Sequence, residues 1–184
     1  LWLGTKTNGI SQFNRSKRTF RNYQHNPADQ GSLSSNNINE VYVDKSGKLW
    51  VATEKGLNIF DEKSGKFKKF IHNSADSQSL SSSVVNTVFE DQNHNIWVGT
   101  DKGLNLFNSK SKKWTRYADD RINHYGNNDI NKIIEDSAGQ LWLGTSEGLN
   151  LFNKKTGDFT LFPIHSLKNS SDNTTTILTL AKGD

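Results

Sequence analysis

Four near-copies of one five-residue phrase constrain the fold of this chain more than any other feature. They read Leu1-Trp2-Leu3-Gly4-Thr5, Leu49-Trp50-Val51-Ala52-Thr53, Ile96-Trp97-Val98-Gly99-Thr100 and Leu141-Trp142-Leu143-Gly144-Thr145. The tryptophans stand 48, 47 and 45 residues apart. A period of that size means one supersecondary unit used repeatedly, each copy burying its apolar face on the next. Arrays of this kind bind something, and catalysis in them needs separate evidence.

Aligned on tryptophan, the units are residues 1–48, 49–95, 96–140 and 141–184. Each holds four strand-like parts. The tryptophan strand runs into a short loop ending at Gly9, Gly56, Gly103 or Gly148. A second strand follows at 10–13, 57–60, 104–107 or 149–152, closed by Asn14, Asp61, Asn108 or Asn153, residues that start tight turns by bonding their own backbone. The third strand alternates aromatic and polar, as in Phe67-Lys68-Lys69-Phe70 and Trp114-Thr115-Arg116-Tyr117. A longer polar loop leads to the fourth strand, at 38–44, 85–91, 130–136 or 177–183. Asp44-Lys45-Ser46-Gly47 and Asp136-Ser137-Ala138-Gly139 then turn into the next tryptophan strand.

Four short strands per unit, joined by tight turns and one longer loop, is the layout of a β-propeller blade. No stretch shows a helical period. Alternation puts Trp50 and Ala52 on one face of their strand and Leu49, Val51 and Thr53 on the other. The small residue two after each tryptophan (Gly4, Ala52, Gly99, Gly144) leaves room for a bulky neighbour, which argues for close approach by an adjacent blade. One long meander would explain the period but not the recurrent Trp-x-Gly.

Composition agrees with many thin layers rather than one thick core: 32% hydrophobic residues and a mean hydropathy of −0.76 over 184 residues. Five Trp and ten Phe recurring in register argue against disorder. The net charge of +4 comes from interspersed charges of both signs, so basic runs such as Lys110-Ser111-Lys112-Lys113 read as solvated turns and not as a nucleic-acid surface. The absence of cysteine excludes disulfides, thiol nucleophiles and Cys-based zinc sites. No apolar run approaches the ~18 residues of a membrane span. The chain opens inside a repeat and has no Met, so it reads as a segment of a longer protein.

The combined pattern Leu-Trp-x-Gly-Thr-x-x-Gly-Leu-x-x-Phe-(Asn/Asp), preceded by Val/Ile-x-x-Val/Ile-x-Glu-Asp, resembles the two-component regulator propeller repeat over the whole chain, in four copies. That family forms periplasmic sensor domains of bacterial hybrid histidine kinases and related diguanylate cyclases. The resemblance implies an all-β fold, seven-bladed propellers often paired in tandem, a place on the periplasmic or extracellular face of a bacterial membrane protein, and detection of oligosaccharides. The chain departs from the pattern in places. The first copy has an extra loop residue within Lys6-Thr7-Asn8 and lacks the Leu-Asn pair, the second carries Ala52, and the fourth has Gly183 where Asp is usual. No kinase or cyclase sequence is present, so neither activity carries over.

The array opens on a blade's second strand and stops on a first strand, leaving three intact blades and pieces of two. The leading and trailing strands could pair and close a four-bladed ring. The seven-fold habit of the family implies instead an arc of a larger ring. An open arc exposes faces that normally bury Trp and Phe, so self-association or marginal stability is expected.

Strand order places the Gly-ended loops and the long polar loops on one face, with the Asx and Asp-x-x-Gly turns opposite. Variable loops are the natural recognition surface. The ligand candidates there are Asn36, Asn37, Asn39, Asn86, Lys102, His124, Tyr125, Asn127, Asn128 and Asn131. His124-Tyr125 stands out, since aromatic and amide groups suit sugar faces and hydroxyls. Asn39, Asn86 and Asn131 share one repeat position, which suggests a backbone role near the central channel.

The histidines are scattered without ligand spacing, so no metal is expected. Asp91-Gln92-Asn93-His94-Asn95 imitates the start of a calcium loop but has Ile96 and Lys102 where Gly and Glu are needed, and reads as a turn. Glu90-Asp91 and Glu135-Asp136 point to opposite faces of a strand and cannot jointly flank a bond. No catalytic residue and no cofactor is expected. The chain reads as a non-catalytic sensory segment recognising an extracellular small molecule or oligosaccharide, packed on neighbouring blades, domains or a second copy. The alternatives are a passive protein-binding scaffold and a propeller glycosidase or lyase fragment.

Overall fold

The computed structural model describes residues 1–118, 128–146 and 148–163. The described residues form fifteen strands and no helix. The first sheet has three strands, β1 (Trp2–Gly4), β2 (Ile10–Asn14) and β3 (Thr19–Tyr23). The second contains β4 (Ile38–Val43), β5 (Leu49–Thr53), β6 (Gly56–Asp61) and β7 (Lys66–Phe70). The third contains β8 (Val85–Glu90), β9 (Ile96–Thr100), β10 (Gly103–Asn108) and β11 (Lys113–Tyr117). The fourth contains β12 (Ile130–Glu135), β13 (Leu141–Thr145), β14 (Gly148–Phe152) and β15 (Phe159–Pro163). Within each sheet neighbours in sequence pair antiparallel. The trailing strand at 177–183, on which ring closure turns, lies outside the described residues, as do His124, Tyr125 and Asn127.

The turns explain the repeated phrase. Each Thr closing a tryptophan strand donates its hydroxyl to the carbonyl of the Gly that opens the next: Thr53 to Gly56 at 2.8 Å, Thr100 to Gly103 at 3.0 Å and Thr145 to Gly148 at 2.9 Å. Gly103 sits at φ +120°, and a Cβ there would lie 2.5 Å from the Tyr117 carbonyl oxygen, so only glycine fits. At the other end, the Asp44 carboxylate takes the backbone N–H groups of Ser46 and Lys48, and the sharp turn ends on Gly47 at φ +83°.

Successive sheets pack face to face. Trp50 and Ala52 join Val85, Val88, Val98 and Phe107 in one core, while Leu49 and Val51 join Ile10, Leu33 and Ile38 in another. The alternation expected of the tryptophan strand therefore holds. The first three motif indoles each meet a phenylalanine of the next sheet edge-on: Trp2 with Phe60 at 5.2 Å, Trp50 with Phe107 at 5.4 Å, Trp97 with Phe152 at 5.5 Å.

The small residue is also accounted for. A Cβ on Gly4 would lie 2.7 Å from Ile38 Cγ2, and one on Gly99 would lie 2.7 Å from Ile130 Cγ2. Where Ala52 replaces Gly, the facing residue in the same core is the smaller Val85.

The leading strands β4, β8 and β12 pack against one another, and the outer strands β7, β11 and β15 close the far edges of their sheets. This is a propeller arrangement of blades, with the leading strands innermost. The face of the first sheet turned away from its neighbour leaves Leu1 (61%), Leu3 (43%) and Phe20 (59%) exposed.

Candidate functional site at the inner rim of the loop face

The rim is built from the loops entering the inner strands and the short turns beside them. Two of the entering loops are near-copies. His25-Asn26-Pro27-Ala28-Asp29 and His72-Asn73-Ser74-Ala75-Asp76 each run on to Ser-Leu-Ser-Ser. His25 Nδ1 meets the Leu33 carbonyl at 2.7 Å, and His72 Nδ1 meets that of Leu80 at 2.8 Å. Leu33 and Leu80 are fully buried plugs. The next serine in each loop is captured by a buried asparagine of the blade: Ser34 N–H donates to Asn58 Oδ1 at 2.9 Å and Ser81 N–H to Asn105 Oδ1 at 2.8 Å. These loops are fastened to the scaffold. The Leu-Asn pair of the repeat serves that purpose, and the first copy, which lacks it, bonds Ser11 Oγ to Asn22 Oδ1 instead. The loop repeat, with its paired histidines, is legible in the sequence, but its fastening to the blade shows only in the structure.

The shared position of Asn39, Asn86 and Asn131 has a geometric cause. Each sits at a register shift in its inner strand, between Ile38 and Glu40, Val85 and Thr87, and Ile130 and Lys132. A bulge leaves one residue out of the ladder and re-aims its side chain. Asn39 Nδ2 thereby reaches the Val85 carbonyl of the next blade at 2.9 Å. Asn86 Nδ2 reaches the Ile130 carbonyl at 3.2 Å and Asp129 Oδ1 at 2.9 Å. Asn131 Nδ2 is buried and has no hydrogen-bond partner among the described residues.

Other rim groups surround these. Lys6 Nζ donates to Asn39 Oδ1 at 3.0 Å. Asn36 Oδ1 accepts the His25 N–H at 2.7 Å. Asn37 Oδ1 is buried without a partner among the described residues, as is Asp101 Oδ1, a residue that the sequence reading did not single out. Exposed Lys102 lies in the β9–β10 turn, and the next residue, Gly103, donates its N–H to the Asn128 carbonyl at 2.7 Å. The geometry thus brings Lys102 and Asn128 together, and Lys6 with Asn39. Further along the inner strands, Glu40 bonds the Val88 N–H of the next blade at 2.6 Å and pairs with Lys132 of the blade beyond. Among the described residues, no group of three His, Asp or Glu side chains could hold a metal ion.

A family model for the two component regulator propeller matches residues 32–55, 79–102 and 124–147. Those spans run from the end of the entering loop, through the inner strand and the tryptophan strand, into the Gly-ended turn. These three spans match the two-component regulator propeller repeat. Among solved structures, the chain is similar to the extracellular domain of a protein assigned as a hybrid two component system in B. thetaiotaomicron, at 29% identity and a TM-score of 0.71, over 86% of this chain and 21% of that one. It also resembles a protein of unknown function from Bacteroides caccae at 12% identity and a TM-score of 0.54, over 96% of this chain and 57% of that one. The second likeness concerns the fold alone. No curated protein matches the chain. The chain spans about a fifth of the length of the B. thetaiotaomicron domain. The described residues share the propeller fold of that extracellular domain. No helix among the described residues is long and apolar enough to cross a membrane.

Proposed function

We propose that the segment is a non-catalytic recognition element that takes an extracellular carbohydrate at the inner rim of the loop face. The observation carrying this reading is that three of the five buried polar atoms without a partner among the described residues lie at this rim, one from each of three blades: Asn37 Oδ1, Asp101 Oδ1 and Asn131 Nδ2. Buried polar groups are normally satisfied, and acceptors and a donor at one rim suit the hydroxyls of a sugar. Lys102 and Asn128 flank this rim, and His124 and Tyr125, adjacent in sequence, supply an aromatic group for a sugar face. Asn39 and Asn86 act from behind, fixing the blades on which the contacts ride.

An oligosaccharide array followed by calorimetry tests this. Saturable binding of a glycan, weakened at least tenfold by Asn37→Ala, Lys102→Ala or Tyr125→Ala, is the expected result. A glycan signal indifferent to all of these substitutions, or no glycan signal at all, would refute the assignment of the rim.

A further inference from the structure

The turn face, opposite the rim, carries two clefts of one construction and different occupancy. Between the third and fourth blades, Lys154 sends Nζ to Asp91 Oδ2 at 3.0 Å and to Glu135 Oε1 at 2.6 Å. Its ammonium is gripped by one carboxylate from each blade. The other oxygen of Glu135 accepts the Gln92 N–H at 2.7 Å.

The same parts recur between the second and third blades. Asp44 stands at the repeat position of Asp91, and Glu90 at that of Glu135. Lys45 N–H donates to Glu90 Oε2 at 2.6 Å, matching Gln92. The position of Lys154 is taken by Ser109. A cavity of about 320 Å³ opens there, lined among others by Asp44, Glu90, His94, Phe107 and Ser109. Asp44 is 8% exposed and Glu90 7%.

We propose that this cleft binds a primary ammonium group, seated between Asp44 Oδ2 and Glu90 Oε1 as the Lys154 ammonium is seated one cleft further on. An acidic pair alone would not point to a ligand. The occupied copy of the same site in the same molecule does, and so does the space left by the shorter Ser109. Asp91 Oδ2 accepts bonds from Trp97, Asn95 and Lys154. Asp44 Oδ2 accepts one from Trp50, at 2.8 Å, and retains acceptor capacity towards the cavity.

Neither nearby lysine bridges the two carboxylates. Lys48 Nζ lies over the Trp50 indole, 5.9 Å from the ring centroid, and Lys45 Nζ donates to the Asp91 carbonyl at 3.1 Å. His94 Nδ1 meets Glu90 Oε1 at 2.7 Å, from a side chain that is 68% exposed. It stands at φ +63°, where the other turns carry Gly47 and Gly139. The incoming ammonium displaces His94 from Glu90, and its alkyl chain lies towards Phe107. This site is on the face opposite the carbohydrate rim and does not depend on that assignment.

Calorimetric titration of the chain with n-butylammonium chloride is the test, with n-butanol and sodium butyrate as controls. Saturable binding of the amine and of neither control is expected. Glu90→Gln weakens it at least tenfold. Ser109→Lys abolishes it and raises the Tm, because a tethered ammonium then fills the seat, whereas Ser77→Lys does neither. Since Ser109→Lys keeps both carboxylates, it reports on the site even where Glu90→Gln folds poorly. Nα-acetyl-lysine amide, as second probe, separates the two sources of the group: binding equal to butylammonium assigns a lysine side chain, and rejection assigns a small free amine. No saturable amine binding, or binding unchanged in Ser109→Lys, overturns the proposal.

Discussion

Asp91 Oδ2 accepts the indole N–H of Trp97 at 2.9 Å, six residues along the chain. Asp44 with Trp50 and Asp136 with Trp142 repeat the bond at 2.8 Å. The turn that starts a tryptophan strand thus supplies the acceptor that lets the indole be buried between blades.

Asp91 is fully buried, which by itself raises its pKa, but hydrogen bonds from Trp97, Asn95 and Lys154 outweigh the burial and hold it at about 2, below its ordinary 3.8. A folded value below the unfolded one gives stability that is present above 3.8 and is lost as pH falls through about 2. The contribution is about 2 kcal/mol. Asp91→Asn should lower urea-unfolding stability at pH 7 by roughly that amount and flatten the decline between pH 4 and about 2. An unaltered acid limb would show that Asp91 does not carry it.

The close approach of Gly99 to Ile130 between blades predicts an energetically coupled pair. Gly99→Ala should cost about 1–3 kcal/mol, since its methyl meets Ile130 Cγ2 and Thr87 Cγ2 at 2.7 Å. Adding Ile130→Ala removes that Cγ2, so a double-mutant cycle should show a coupling of about 1 kcal/mol between the two sites. Strict additivity would mean that the two side chains do not share the space.

Asn105 is fully buried and bonds Ser81 N, Ser81 Oγ and the Val98 carbonyl. Asn105→Ala strands several of these groups, so a loss of about 2–4 kcal/mol is expected. The change should be local first: the Ser81 amide should exchange with deuterium faster while the β9 amides stay protected. Equal acceleration in both would indicate global loosening instead.

The exposed Leu1, Leu3 and Phe20 should drive association of the chain in solution. Sedimentation should show a concentration-dependent mass, reduced towards the monomer by Leu3→Glu with Phe20→Lys. A monomer at every concentration would refute this.

The blades were legible because burial writes a strict code at short range. Alternation in Leu49–Thr53, glycine at left-handed turns and Asx at turn starts are each imposed by local geometry. That the tryptophans pack between successive sheets follows from the period, whereas their phenylalanine partners show only in the structure. The rim was legible only in part. Asn39 and Asn86 stand out by their shared position in the repeat, but the bulge in each inner strand is what aims them at the next blade. Asp101, the loop fastenings of Asn58 and Asn105, and the link of Asp91 to Lys154, 63 residues away, had no local signature.

The sequence by itself determined that this protein is a stack of four-stranded antiparallel units, because strand period, turn chemistry and repeat length are properties of neighbours along the chain. Only the tertiary structure decided which polar side chains are engaged in holding blades together and which point at open space. That distinction depends on distances between blades, where one residue, Lys154 or Ser109, decides whether a cleft is filled or left as a cavity.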